Sequence, residues 1–239
     1  MADDELIIGH RHSEWTGMGP LLEEDIAFSS IAQDKLGHAR ALYALNEELC
    51  GGANPDVIGF QRTANEFRCS QFVELPNGEY DVSLVRHFLF DAAEYHRYAM
   101  LTSSSVEPLA KLARKVTGEL KYHLYHGKSW VEQLAGKGTA ESRQRMQSAL
   151  TTIWPYALGM FEPSAYEAML QSEGIFAGEE ALQQVWLDFV LPALNECNLA
   201  IPANATPMYG GRTGKHTEFL EPLLEEMTEV VRIDPNAEW

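Results

Sequence analysis

The sequence is poor in cysteine. Cys50, Cys69 and Cys197 are the three in 239 residues. They are odd in number and widely spaced, and no CxxC pair occurs. This argues against a disulfide framework and against a zinc site of the finger type. Basic charge is also scarce: 18 Lys and Arg stand against 35 Asp and Glu, a net charge of −17 with His neutral. A nucleic-acid backbone or an anionic membrane needs a basic face, so neither is an expected partner. No apolar run approaches the ~18 residues of a membrane span. The opening Met-Ala-Asp-Asp-Glu lacks the basic and apolar regions of a signal peptide. GxSxG, P-loop and GxGxxG motifs are missing, so hydrolase and nucleotide-binding readings have no motif support. No convincing alternating strand segment, short repeat or low-complexity tract is found. The expectation is a cytoplasmic protein with a core of its own, read as a single domain over 1–239.

What is present is helical periodicity. A first helix starts near Asp4, with Ile7, Arg11, Glu14, Met18 and Leu21 on one face. After Pro20, the residues Phe28, Ile31, Lys35, His38, Leu42, Leu45 and Leu49 step by three and four along a helix of about 30 residues. Gly51-Gly52 ends it. The spacing predicts a shorter helix at 56–72, a turn at Pro76-Asn77-Gly78, and a helix from 82 to 103 with Leu84, Phe88, Asp91, Tyr95 and Ala99 on its stripe. Pro108 suits a first turn. From there Leu109, Leu112, Val116, Leu120, His123, Gly127, Trp130 and Leu134 form another long stripe that stops at Gly136. Helices follow at 140–161, 164–173, 179–198 (with Pro192 as a kink) and 216–232. The stretch 201–214 reads as a long loop. The fold class is all-α, a bundle of long antiparallel helices with additional shorter ones.

Five polar residues stand where such a bundle wants apolar ones: Glu14, Lys35, His38, Asp91 and His123. A buried unpaired charge costs several kcal/mol, so all five are expected in one buried polar cluster. Their order forms a pattern. Each half is a carboxylate on one helix, then a residue and a His three positions later on the next. Di-iron carboxylate bundles use an acid on one helix and Glu-x-x-His on its neighbour, twice over. Here the two Glu positions are Lys35 and Leu120. That leaves too few ligands for two metal ions and places an ammonium where a bridging carboxylate would be. The reading is a di-metal site replaced by a salt-bridged network. The alternatives are that burial is misjudged and these are ordinary half-buried polar residues, and that a mononuclear metal survives on His38, His123 and the two acids. Glu94, His96 and the acids of 218–229 are expected on solvated faces, and His126 at an interface. His10 and His12 cannot share a helical face.

The motifs Gly9-His10-Arg11-His12-Ser13-Glu14-Trp15, Ala32-Gln33-Asp34-Lys35-Leu36-Gly37-His38, Asp91-Ala92-Ala93-Glu94, Tyr122-His123-Leu124 and Gly214-Lys215-His216-Thr217-Glu218 resemble a known family. The sequence is similar over nearly its whole length to the structural, noncatalytic subunits (the C type) of bacterial phenylacetyl-CoA 1,2-epoxidases, ferritin-like relatives of di-iron monooxygenases. In the related catalytic subunit the second-helix motif reads Gln-Asp-Glu-x-Gly-His. The resemblance assigns the six positions Glu14, Lys35, His38, Asp91, Leu120 and His123 to that subunit's di-iron site. It implies that this chain is the noncatalytic structural partner, carrying no metal or other cofactor, with the di-iron centre in the catalytic subunit. Implied partners are that subunit, the other small subunits and the reductase of the complex. When isolated, the chain is expected to form a homodimer. The competing expectations are a ferritin-like oxidase or oxygenase active in its own right, and an iron-storage or free-standing binding protein.

Overall fold

The structure, a computed structural model, describes residues 1–234. Among the described residues no strand occurs, and the chain is all-α, as the periodicity predicts. Eleven α-helices are formed among them: α1 (Ala2–Ser13), α2 (Leu22–Cys50), α3 (Pro55–Phe60), α4 (Gln71–Glu74), α5 (Tyr80–Leu101), α6 (Glu107–Val131), α7 (Ala140–Gly159), α8 (Glu167–Ser172), α9 (Glu179–Glu196), α10 (Leu220–Met227) and α11 (Glu229–Ile233). None of these helices is long and apolar enough to cross a membrane. Packing gathers the described residues into two compact units, Met1–Pro76 with 210–234, and Asn77–Tyr209.

The first unit is organised by α1 against α2. Asp3 meets Tyr43, Glu5 meets Lys35 and His12 meets Phe28, so the two helices run antiparallel. Gly9 sits at a close approach between them. A Cβ there would lie 3.2 Å from Leu36 and from Lys35 Cβ. Gly51, at φ 65°, ends α2 where expected.

The helix expected at 56–72 is instead three short pieces: α3, a 3-10 turn at Ala64–Glu66, and α4. The first turn of α1 explains the breaks. Asp3 accepts from the Arg62 guanidinium at 2.7 Å and from the Arg68 amide at 2.7 Å. Asp4 accepts from the Ser70 amide at 2.7 Å and from Arg212 at 2.5 Å. Amides committed to a carboxylate cannot bond the carbonyl four residues back. Burial alone would raise Asp4's pKa, but Arg212 and the Ser70 amide outweigh it and hold the carboxyl well below its usual range. The last expected helix also starts late, at Leu220, because the Thr217 amide is spent on Glu74. It breaks at Thr228 into α10 and α11.

The second unit packs α5 against α6, antiparallel, with α7 and α9 on α5. Gly127 takes the place that Gly9 takes in the first unit: a Cβ would stand 3.0 Å from Phe88 Cα. Helix α6 runs into a π-helical turn, Glu132–Gly136, and stops at the predicted glycine. Trp186 is fully buried. It stacks on Trp154 with ring centroids 5.3 Å apart, and its indole N–H donates to Leu89 O at 2.9 Å. Pro192 lies within α9, which continues to Glu196.

Candidate functional site: a carboxylate and histidines on each helix pair

In the first unit the buried carboxylate that faces Lys35 and His38 is Glu5. Its side chain and that of Lys35 are both 0% exposed, with Lys35 Nζ 3.4 Å from Glu5 Oε2. His38 Nδ1 lies 3.6 Å from Glu5 Oε1. Lys35 and His38 are three residues apart on α2 and so share a face. Both fall where the stripe puts them. Glu14 does not, and its expected burial is corrected. Helix α1 ends at Ser13, so Glu14 is a cap residue and Met18 and Leu21 are not on the helix at all. The Glu14 side chain is 34% exposed and accepts from Arg11 Nη1 at 2.7 Å.

In the second unit Asp91 and His123 are both fully buried, with Asp91 Oδ1 3.5 Å from His123 Nδ1. The other oxygen, Oδ2, is 2.6 Å from His87 Nδ1. His87 Nε2 is in turn 3.1 Å from His126 Nδ1. Burial pushes the His87 pKa down to about 4; Asp91 pulls it up, while His126 and His123 add to the drop. His87 thus touches Asp91 through Nδ1 at ion-pair distance, and its Nε2 and His126 Nδ1 share one hydrogen between the two rings. Leu120 is fully buried, one helical turn from His123. Glu94, expected on a solvated face, is buried instead. It accepts from Arg97 Nε at 3.0 Å, and Arg97 also pairs with Glu179.

Sequence reasoning missed Glu5, His87 and the buried role of His126. His87 carried a usable signal, since it stands four residues before Asp91 and therefore on the same face. Glu5 carried none: residues 3–9 are all buried, and a helix turn buried on every side has no stripe to read. Chemically, a lysine ammonium has three donors and no lone pair, and leucine has neither. The arrangement pairs charges, and it sets His126, His87 and Asp91 in a row of close polar contacts.

Comparison with known proteins finds similarity over the whole length of the chain. The family model described as phenylacetic acid catabolic protein matches residues 1–239. The chain is 33% identical over 239 residues to the C subunit of the 1,2-phenylacetyl-CoA epoxidase of Escherichia coli (strain K12), covering 100% of this chain and 96% of the relative. It is 25% identical over 238 residues to the A subunit of the same epoxidase, covering 93% of this chain and 75% of that relative. The chain therefore belongs to the phenylacetic acid catabolic protein family.

Proposed function

We propose that this chain is the noncatalytic, structural subunit of a cytoplasmic multicomponent oxygenase that epoxidises the ring of phenylacetyl-CoA. It binds a homologous subunit that holds the di-iron centre. The observation that carries the reading is the buried Lys35 ammonium 3.4 Å from Glu5 Oε2. Two adjacent cations require bridging carboxylates, and an ammonium in that place repels them. Leu120, fully buried at the matching position of the second helix pair, supplies no ligand. The residues present do not fit a di-iron centre, and no reaction step is assigned to this chain.

A copy without chemistry keeps a role through its surface. Met18 and Leu22, each 72% exposed, together with Leu21 and Ile26, give the connection from α1 into α2 an apolar character. Exposed apolar groups concentrated in one segment are suited to covering by another protein. Likeness to two subunits of one epoxidase supports a partner of the same family.

Co-expression with the cognate homologous subunit tests the proposal. A stable complex that survives purification is expected. Failure of the two chains to bind, with both folded, would remove it.

A further inference from the structure

The first unit holds another cluster of ligating side chains, away from the helix-pair residues. Cys69 lies two residues before α4, Glu74 is the last residue of α4, and His216 is in the loop before α10. Cys69 is fully buried. The Glu74 side chain is 0% exposed and that of His216 6%. We propose that Cys69 Sγ, Glu74 Oε1 and His216 Nδ1 form a binding site for one divalent cation of the zinc class.

The geometry is close to what such an ion needs. Metal bonds of about 2.3 Å to sulfur and about 2.0–2.2 Å to nitrogen and oxygen, set tetrahedrally, place ligand atoms roughly 3.4–3.6 Å apart. Cys69 Sγ is 3.6 Å from Glu74 Oε1 and 3.9 Å from His216 Nδ1. His216 Nδ1 and Glu74 Oε1 are 2.6 Å apart, and this edge opens by several tenths of an ångström when an ion replaces the proton between them.

The surroundings orient each ligand. His216 Nε2 is 3.1 Å from Phe67 O. A carbonyl only accepts, so Nε2 carries the hydrogen and Nδ1 faces the cluster. A backbone carbonyl on the far nitrogen is the usual support of a metal-bound imidazole. Glu74 Oε2 is held by the Thr217 amide and hydroxyl, each at 2.7 Å, which leaves Oε1 as the ligating oxygen. One thiolate, one imidazole and one carboxylate form a borderline-soft set that suits zinc better than magnesium or calcium. Together they balance a charge of two.

Without an ion, burial and the Glu74, Asp4 and Asp3 carboxylates push the Cys69 thiol well up, against Arg212. Binding therefore forms one bond each from the metal to Sγ, Nδ1 and Oε1. It releases two protons, the thiol's and the one shared by His216 and Glu74, and leaves the fourth position to water. The bound ion would tie the segment before α4 to the loop before α10.

The test uses the full chain with the exposed Cys50 replaced by Ser, stripped with a chelator and titrated with zinc and with cobalt(II). About one zinc per chain is expected, with a rise in Tm and with a cobalt–thiolate charge-transfer band in the near ultraviolet. Cys69→Ser keeps a hydroxyl donor for Glu74. It should fold with unchanged helicity, lose the cobalt band and weaken zinc binding by at least about tenfold. No zinc uptake by the folded chain would overturn the proposal, as would uptake without a thiolate band. The cobalt spectrum is read on a chain with Cys69 in place, so it decides the question even if Cys69→Ser fails to fold.

Discussion

Lys35 Nζ lies 3.4 Å from Glu5 Oε2, and neither side chain reaches solvent. The pair joins α1 to α2 through charge, beside the His38–Glu5 contact at 3.6 Å. Removing one partner of a buried pair costs about 3–5 kcal/mol because the other charge is left stranded. Lys35→Met should therefore lower stability by about that amount. Glu5→Gln in the same background should restore part of it. Urea unfolding of the two variants measures both steps, and additive losses would show that the residues do not act as a pair.

Lys35→Glu should be worse than Lys35→Met in the metal-free protein. It sets a second carboxylate beside Glu5 and next to His38, with no cation between them. A variant as stable as the parent, measured with chelator present, would show that the pair is not buried as described.

Glu14 and Glu5 separate cleanly by mutation. Glu14→Ala removes a partly exposed pair with Arg11 and should change stability by less than about 1 kcal/mol. Glu5→Gln removes the buried negative charge that faces Lys35 and should cost several times more. Thermal unfolding of the two single variants checks the order.

Stability should fall in mild acid. The His87 pKa is pushed from 6.5 down to about 4 in the folded chain. Between those values the unfolded chain binds a proton that the folded chain does not. The contribution of His87 is therefore present above pH 6.5 and is lost as pH falls toward 4, by a few kcal/mol. The depressed Asp3 and Asp4 carboxyls act at lower pH, below their ordinary 3.8. Denaturant midpoints from pH 7 to pH 4 should show the loss, and His87→Gln should reduce it, leaving the part due to His10, which burial also pushes down to about 4.

At Gly127 an alanine would press on the Phe88 backbone at 3.0 Å. Gly127→Ala should destabilise the α5–α6 pair by about 1–3 kcal/mol, visible as a lower Tm at unchanged helicity.

The long helices were legible because each carries one apolar stripe with glycine punctuation. That is why α2 and α5 lie within a few residues of their expected ends. Lys35, His38, Asp91 and His123 were legible for the same reason: a polar residue is conspicuous only on an apolar stripe. The failures have a different cause. Glu14 looked continuous with Ile7 and Arg11, but α1 stops one residue earlier. The break-up of 56–72 depends on Asp3 and Asp4, some sixty residues away in sequence, and no local propensity reports such a contact. The Cys69, Glu74 and His216 cluster is likewise assembled across 147 residues.

If this chain supports an oxygenase without housing its metal centre, iron must segregate between the two homologous chains. Iron analysis of their purified complex, with each chain also measured alone, reads that segregation. All stoichiometric iron should follow the homologous subunit, and this chain alone should carry neither iron nor manganese in stoichiometric amount. About two iron ions per copy of this chain, with an oxo-iron absorption band, would contradict the noncatalytic role.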